Sequence, residues 1–371
     1  MKLNLNALEI SRQRNRLTKN AFAEKLGISS RDMRRMREEQ EVSVDFIETV
    51  AQATGFPIEF FCVDVDFEVT KPTFRKQATL TAREREAGVA AAKMATLFWS
   101  QVQEEYSLPV PDVPDYSNGD YHFPEGIDRA THAASLLREE WGLGTEPVGN
   151  LVKLLERHGV RVLSLSEKET HGLSAFTFWG NDRTPYIYLN MIGSMERSRF
   201  DAAHELGHLV LHRHHDAADV SVEEEADRFA SAFLIPKADL LRHKVYPTIA
   251  NIRRNKKRWN VSVAALVRAY RDCGLIDDQR YKYLNIELSR NGWRKNEPDK
   301  SPWEASGVWV AIKKDLWAKS QTVEDLARRA SVPSDDAVTF TSFGTPEHLN
   351  DAGDNPQVHT KRSQQTLRVV K

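Results

Sequence analysis

The chain has 371 residues, of which 40% are hydrophobic, and this is enough for two or three compact units that each bury a core. A formal net charge of −1 excludes a uniformly basic protein, so any contact with nucleic acid requires a local basic surface. No stretch approaches the roughly 20 apolar residues of a membrane span. Cys62 and Cys273 lie far apart and lack zinc-binding spacing. We therefore expect a cytoplasmic protein with no membrane partner and no disulfide framework.

Residues 5 to 61 have the apolar spacing of a series of short helices. Thr18 is expected to cap one helix, Gly27-Ile28-Ser29 predicts a tight turn, and Ser30 begins the next helix. A helix, a short turn with glycine and a second helix form the helix-turn-helix arrangement. We assign residues 1–66 to an all-α domain of this kind.

The same segment is strongly basic, which favours binding of double-stranded DNA through residues 1–66. Nine Lys and Arg residues lie between positions 12 and 37, where Glu24 and Asp32 are the acids. The second helix would present its side chains to base edges, and the first would meet phosphate. The predicted DNA contacts are Lys19, Ser30, Arg31, Arg34 and Arg35. The alternative interpretation is a solvated charged face on a small dimerisation module.

Residues 67–125 are predicted to form a helical and proline-rich connector. Apolar residues from Thr81 to Glu105 recur near a period of 3.6, which predicts a helix. That helix could pack on the following domain or pair with a second chain in a homodimer. The segment from Leu108 to Pro114 cannot sustain a helix and is typical of a stiff extended linker, so we expect a hinge there.

Three segments then show the alternation of apolar and polar residues that is typical of strands. They run from Val160 to Leu165, from Leu173 to Phe178 and from Tyr186 to Leu189. We expect a small sheet beside the helices that follow. An edge of such a sheet can hold an extended peptide by backbone pairing, although an ordinary supporting sheet is an equal alternative.

His204-Glu205-Leu206-Gly207-His208 is an H-E-x-x-H motif within a segment predicted to be helical. Histidines four residues apart lie on one helical face, so both imidazoles can reach one metal ion while Glu205 lies beside it. We predict that His204 and His208 bind Zn²⁺ and that Glu205 is the catalytic general base. The alternative is a surface histidine pair without a metal.

A catalytic zinc site needs a third protein ligand. Glu223 and Asp227 are four residues apart at the start of the next helical pattern, as in the gluzincin metallopeptidases. We predict that Glu223 binds the metal and that Asp227 accepts a hydrogen bond from a ligating histidine. Glu225 is the main competitor for the ligand position, and a plain acidic first turn is the alternative to any ligand.

A metzincin site would use His214 as its third ligand. That pattern requires glycine where this chain has Leu211, and it requires a later methionine, whereas no methionine follows Met195. We therefore interpret His212, His214 and His215 as residues of the helix end and loop. The candidates for stabilising an oxyanion near the metal are Tyr186, Tyr188 and His212.

The end of the chain is predicted to hold one more structured unit. Residues 299–343 are assigned to a small C-terminal unit, because apolar residues between Val323 and Ala330 have helical spacing. Residues 344–371 are polar and are predicted to form a disordered tail.

Two parts of the chain resemble known families. The segment from Leu17-Thr18 to Gly27-Ile28-Ser29 resembles an XRE-type helix-turn-helix, and the later half resembles the ImmA/IrrE-type zinc metallopeptidases. The second resemblance is carried by an ordered series, namely Arg138-Glu139-Glu140-Trp141-Gly142-Leu143-Gly144, Pro185-Tyr186-Ile187-Tyr188-Leu189-Asn190, Arg199-Phe200-Asp201-Ala202-Ala203 with the zinc motif, and Phe233-Leu234-Ile235-Pro236. Together the resemblances cover residues 5 to 298, with the metallopeptidase domain at 126–298.

The resemblance implies zinc at His204, His208 and Glu223, with Glu205 as general base and a protein partner, typically a repressor, as substrate. Asp227 stands where asparagine is common in the family, which keeps a hydrogen-bond acceptor at this position. The basic run from Arg34 to Arg37 differs from the usual glycine-containing turn, so no DNA sequence preference can be transferred.

The leading hypothesis is an α+β, mainly helical protein in which a helix-turn-helix domain precedes a small zincin-like peptidase. It would cleave a protein partner such as a helix-turn-helix repressor or antitoxin, in stress or mobile-element regulation. A second hypothesis is a transcription regulator whose metal domain senses or binds a partner without proteolysis. A third is a toxin-like component of a toxin-antitoxin or phage-linked system.

Overall fold

The computed structural model describes residues 2–36, 41–63, 73–74, 81–117, 128–165, 175–180, 182–213, 220–343 and 368–369. The predictions for Arg37, His214, His215 and nearly all of the tail from 344 onward lie outside these residues. Within the described residues, none of the helices combines the length and apolar character needed to cross a membrane.

The N-terminal segment forms four helices, each begun by a side chain that accepts a backbone N–H bond. They are α1 (Leu5–Arg14), α2 (Lys19–Lys25), α3 (Ser30–Arg35) and α4 (Val44–Thr54), with caps Asn4, Thr18, Ser29 and Ser43. Gly27 follows α2 with a φ of +67°, a left-handed conformation that glycine adopts without strain. The predicted helices and turn are therefore present at the expected positions.

The long helix α5 (Ala82–Glu105) lies in the segment predicted to be a connector. It begins at a capping box, in which the Thr81 hydroxyl accepts from the Glu84 N–H while the Glu84 carboxylate accepts from the Thr81 N–H. Its small residues, among them Ala90, Ala91 and Ala95, are fully buried against the N-terminal helices and the sheet. This helix is thus a central, buried element that joins the N-terminal helices to the sheet.

The sheet has four strands in the order β1-β4-β5-β3, and a separate pair joins β2 to β6. The strands are β1 (Thr73–Phe74), β2 (Tyr106–Ser107), β3 (Arg161–Leu165), β4 (Ala175–Trp179), β5 (Pro185–Asn190) and β6 (Arg368–Val369). β3 pairs with β5 in parallel, whereas β4 pairs with β5 and β1 in antiparallel fashion. The strands predicted near 160, 173 and 186 correspond to β3, β4 and β5.

The remaining helices lie on both sides of this sheet. Between the connector and the C-terminal unit they are α6 (Arg129–Glu140), α7 (Leu151–Arg157), α8 (Met195–Leu211), α9 (Val220–Leu234), α10 (Lys237–His243), α11 (Ile249–Asn255), α12 (Val263–Asp272) and α13 (Asp278–Arg290). They are followed by α14 (Gly307–Ala318), α15 (Val323–Arg329) and α16 (Ser334–Phe340).

Two hydrophobic cores lie on opposite faces of the sheet. The first joins the N-terminal helices, α5, the C-terminal helices α14–α16 and the sheet face that carries Tyr186 and Tyr188. The second joins α6–α13 to the face that carries Ile187 and Leu189. Within residues 299–343, predicted as a small C-terminal unit, the apolar side chains of α14–α16 pack in the same core as the N-terminal helices.

Ion pairs extend this first core across distant parts of the sequence. The Arg12 guanidinium donates to Glu86 of α5 at 2.9 Å, and Arg14 Nε donates to Asp336 of α16 at 2.9 Å. Both arginines thus face inward, and neither adds to a basic outer surface.

The predicted hinge at 108–114 is held against the turn between α7 and β3. The Asp112 N–H donates to the His158 carbonyl at 2.9 Å, and Arg161 donates to the Pro109 carbonyl at 3.1 Å. A Cβ at Gly159, whose φ is +76°, would lie 2.4 Å from the Pro111 backbone, so only glycine permits this approach. The extended conformation was predicted correctly, but the segment is anchored rather than free to hinge.

Candidate metal centre

Helix α8 carries the H-E-x-x-H motif through the interior of the second core. Ser194 caps the helix by accepting from the Arg197 N–H at 3.3 Å, and nearly every following residue is buried. His204 and His208 lie one turn apart with 1% and 2% of their surface exposed, and Glu205 is fully buried. The two imidazoles and the carboxylate are thus held on a rigid helix away from bulk water.

Gly207 allows α9 to approach this helix closely. A Cβ built at Gly207 would lie 3.1–3.3 Å from atoms of the Phe229 side chain, which is tighter than ordinary van der Waals contact. The glycine inside the motif therefore has a packing role. It brings the first turn of α9, and with it Glu223, next to the two histidines.

The three predicted ligands lie together. The Nε2 atoms of His204 and His208 are 3.1 Å apart, His208 Nε2 lies 3.2 Å from Glu223 Oε1, and His204 Nε2 lies 3.7 Å from Glu223 Oε2. Bonds of about 2.0–2.1 Å in a tetrahedral site separate ligand atoms by roughly 3.3–3.4 Å. The two histidines face different oxygens of the Glu223 carboxylate, and the three distances lie close to that value, so these three residues could hold a zinc ion.

The protonation of these groups also suits metal binding. Burial lowers the pKa of His208 to about 4, although the Glu223 carboxylate acts in the opposite direction, so the imidazole is neutral at pH 7. Burial alone would raise the pKa of Glu223, but the His204 and His208 imidazoles hold it well below its usual range. A neutral imidazole and an ionised carboxylate are the forms that ligate metals.

Each ligating histidine has a partner on its other ring nitrogen. His204 Nδ1 lies 2.8 Å from Asp227 Oδ1, as predicted for the second acid of the pair. His208 Nδ1 lies 3.0 Å from His212 Nδ1, and His212 Nε2 lies 2.8 Å from Glu225 Oε2. Glu225, considered as a rival ligand, thus faces His212 rather than the metal position.

The oxyanion candidates are not brought to the centre. Tyr186 and Tyr188 project from the sheet face that packs on the first core, whereas α8 lies on the other face. The Tyr188 hydroxyl donates to the Ala91 carbonyl of α5 at 2.8 Å. His212 has its two ring nitrogens directed at His208 and Glu225, so it does not face a substrate carbonyl. None of the three side chains therefore faces the position between the motif histidines and Glu223 in the described residues.

The predicted DNA contacts lie on α2 and α3, remote in sequence from the metal ligands. The Lys19, Arg31, Arg34 and Arg35 side chains are exposed, whereas Ser30 is partly buried and its hydroxyl donates to Asn20 Oδ1 at 3.0 Å. Because Arg12 and Arg14 turn inward, the basic surface is smaller than the residue count between 12 and 37 suggested.

Two buried arginines, whose roles the sequence did not reveal, hold the backbone around the two site helices. Arg138 donates to the Phe233 carbonyl at the end of α9 at 2.6 Å. Arg199 donates to the Gly149 carbonyl at 2.7 Å and pairs with Glu304. Both side chains lie in segments that carry the family resemblance, so the motifs signalled their importance, but not their partners.

A cleft of about 910 Å³ opens beside the centre, between α8, α9 and α12. Of the residues assigned to the candidate metal centre, Asp227 lines the cleft, whereas His204, His208 and Glu223 do not. The cleft therefore adjoins the centre through the partner of His204 and is not itself the space around the metal position.

A helical α+β domain with an H-E-x-x-H helix and a glutamate from the next helix has the architecture of a metallopeptidase. Residues 155–270 match the family model described as Peptidase_M78, the IrrE N-terminal-like domain. The match runs from the end of α7 to α12 and includes both site helices. It confirms the predicted similarity to the ImmA/IrrE-type peptidases over this part of the chain. Among curated proteins, none is significantly similar to the chain.

Proposed function

We propose that the chain is a zinc-dependent endopeptidase that also binds DNA and cleaves a protein partner, a repressor of the helix-turn-helix class. The peptidase part rests on one observation above all: the Nε2 atoms of His204 and His208 lie 3.1 Å apart, and each lies within 3.7 Å of an oxygen of the Glu223 carboxylate. Two imidazoles and a carboxylate are a donor set that zinc prefers. The setting would be stress or mobile-element regulation, in which removal of a repressor changes transcription.

When bound, zinc would act as a Lewis acid that polarises the peptide carbonyl and lowers the pKa of water. The Glu205 carboxylate follows His204 on α8 and is buried with it, and in this proposal it takes a proton from the attacking water. It would then return that proton to the leaving amine. Asp227 holds the His204 ring in orientation through Nδ1.

The peptidase proposal is tested by incubating the zinc-loaded protein with a protease-inhibited bacterial proteome and identifying new N-termini by mass spectrometry. Wild-type protein should generate specific new termini, and Glu205→Gln should generate none, because the amide cannot accept the proton. The matched control is Glu224→Gln on α9, which lies outside the ligand set and should cleave as the wild type does.

Zinc content is measured in parallel so that loss of the base can be separated from loss of the metal. Glu205→Gln should retain one zinc per chain, whereas Glu223→Ala should lose most of it. Cleavage that persists in Glu205→Gln would overturn the proposed mechanism. Absence of cleavage by wild-type protein that holds zinc would favour a regulator that binds its partner without proteolysis.

The DNA-binding part rests on the exposed arginines of α3, namely Arg31, Arg34 and Arg35. The Ser29 cap and the turn at Gly27 set this short helix against α2, which begins at the exposed Lys19. A basic helix after a tight turn is suited to enter the major groove while the first helix meets the backbone.

Fluorescence anisotropy with mixed-sequence duplex DNA tests this part. The triple substitution of Arg31, Arg34 and Arg35 by alanine should weaken binding and reduce the slope of log K against log salt, by about 0.9 for each phosphate that the protein no longer neutralises. Alanine at the exposed Arg242, Arg254 and Arg290 removes equal charge elsewhere and should leave binding unchanged. Equally weakened binding in both triple variants would contradict a site on α3.

A further inference from the structure

A chain of hydrogen-bonding groups leads from the rear of the His208 ring to the rim of the domain. His208 Nδ1 contacts His212 Nδ1 at 3.0 Å, and His212 Nε2 contacts Glu225 Oε2 at 2.8 Å. Arg129 Nη1 then lies 3.2 Å from Glu225 Oε2. The three contacts connect α8, α9 and α6 in that order.

The chemistry of these groups sets the direction of every hydrogen bond. If His208 presents the lone pair of Nε2 to a metal, its Nδ1 must carry the ring proton and donate to His212 Nδ1. His212 must then carry its own proton on Nε2, where the Glu225 carboxylate can only accept. Arg129 can only donate, so the series has one consistent arrangement that ends in a carboxylate–guanidinium pair.

The hydrogen-bonded series from His208 to Arg129 is also held rigidly. His212 is the residue at which α8 ends, its N–H donates to the His208 carbonyl at 3.0 Å, and only 6% of its surface is exposed. Arg129 also donates to the Leu211 carbonyl at 3.2 Å, so it hydrogen-bonds both to the end of α8 and to Glu225. The acceptor for the His208 Nδ1 proton is thus fixed by two other helices.

We propose that His212, held by Glu225 and Arg129, is a positioning residue that sets the tautomer and ring orientation of the metal ligand His208. His204 has a carboxylate, Asp227, for the same purpose, but His208 reaches its carboxylate only through a second imidazole. This inference rests on the zinc site of the proposed function, and it concerns metal affinity rather than cleavage.

The test measures zinc affinity by competition with a chromophoric chelator. His212→Leu removes both ring nitrogens and should weaken zinc binding by about 10–100-fold, the range found when the partner of a ligating histidine is removed. His212→Gln keeps an acceptor and a donor on one side chain and should recover most of that affinity. Glu225→Ala, which leaves the His212 imidazole in place, should give a smaller decrease in affinity.

Cobalt(II) provides a readout of ligand geometry that a general loss of stability would not produce. The visible d–d absorption of the cobalt-loaded protein should change in His212→Leu and stay close to wild type in His212→Gln. His243→Leu is the matched control, because His243 pairs with Asp239 away from the centre and should alter neither the affinity nor the spectrum. Thermal unfolding of metal-free protein identifies any variant that fails to fold.

Wild-type affinity and an unchanged cobalt spectrum in His212→Leu would overturn the proposal while leaving the peptidase mechanism intact. Equally weakened affinity in the Leu and Gln variants, with unaltered thermal unfolding, would also overturn it. If His212→Leu fails to fold, the His212→Gln and Glu225→Ala variants are measured in its place. Unchanged zinc affinity in Glu225→Ala would then reject the proposed positioning role of the hydrogen-bonded series. Persistent cleavage by Glu205→Gln would instead reject the peptidase mechanism without affecting this result.

Discussion

Replacing Gly207 by alanine should weaken zinc binding without unfolding the protein. The added Cβ would lie 3.1–3.3 Å from atoms of the Phe229 side chain, whereas ordinary contact begins near 3.4 Å. Relief of this overlap requires α9 to move away from α8 by a few tenths of an ångström. Glu223 is on the first turn of α9, so the movement displaces one ligand relative to His204 and His208.

The magnitude follows from two opposing effects. Alanine in a helix interior is favoured over glycine by about 1 kcal/mol, and overpacking in a core costs about 1–3 kcal/mol. The metal-free protein can relax, so its free energy of unfolding should change by about 1 kcal/mol or less. Zinc tolerates ligand displacements of only about 0.2 Å, so zinc binding must return Glu223 to its place against the new methyl group. If that return costs about 1–2 kcal/mol, zinc affinity falls by about 5–30-fold.

Zinc affinity from chelator competition and urea unfolding of the metal-free protein measure the two effects separately. Phe229→Ala removes Cγ and Cδ1, two of the three atoms that meet the new methyl group, so the double variant should regain zinc affinity relative to Gly207→Ala alone. Undiminished zinc affinity in Gly207→Ala, together with a gain of about 1 kcal/mol in stability, would refute this account of how α9 is positioned.

Three further predictions concern the parts of the fold around the centre. Tyr188→Phe removes the hydrogen bond that the hydroxyl donates to the Ala91 carbonyl and should cost about 0.5–1.5 kcal/mol of unfolding free energy, with zinc affinity unchanged; weaker zinc binding would contradict its placement. Burial raises the pKa of Glu156 to about 7, so the folded protein binds more protons than the unfolded chain between about pH 4.5 and 7. Stability should therefore fall as the pH rises through that window, and urea unfolding of Glu156→Gln should show a flatter pH profile. Asp336→Asn weakens the pair with Arg14 and should destabilise by about 1–2 kcal/mol, whereas no measurable change would show that α1 and α16 are coupled by apolar contacts alone.

The proximity of His204, His208 and Glu223 could be predicted because the residues that bring them together lie close in the sequence. The spacing of His204 and His208 on one helix determines that the two rings share a face, and a second helix with an acidic first turn supplies Glu223. The partner of His208 could have been suspected from His212, which continues the same four-residue spacing. Its connection to Glu225 depends on how α9 packs against α8, which spacing along one helix does not determine.

The sequence could not show how distant segments pack against one another. Alternation along β5 shows that Tyr186 and Tyr188 share a face, but it does not show which face packs against α8. Likewise, apolar spacing predicted the helices of residues 299–343, while their burial beside α5 depends on contacts between distant segments. The local sequence determines where a helix begins and which of its residues share a face. It does not determine which distant segment that face packs against.

The proposed peptidase requires that His204, His208 and Glu223 bind one zinc ion. Crystals of the zinc-loaded protein, measured on both sides of the zinc absorption edge, test this claim without any knowledge of the substrate. The anomalous difference map should show one strong peak within about 2.0–2.2 Å of both Nε2 atoms and a Glu223 oxygen. A peak bound by Glu225 in place of Glu223, or no peak between the two histidines, would contradict it.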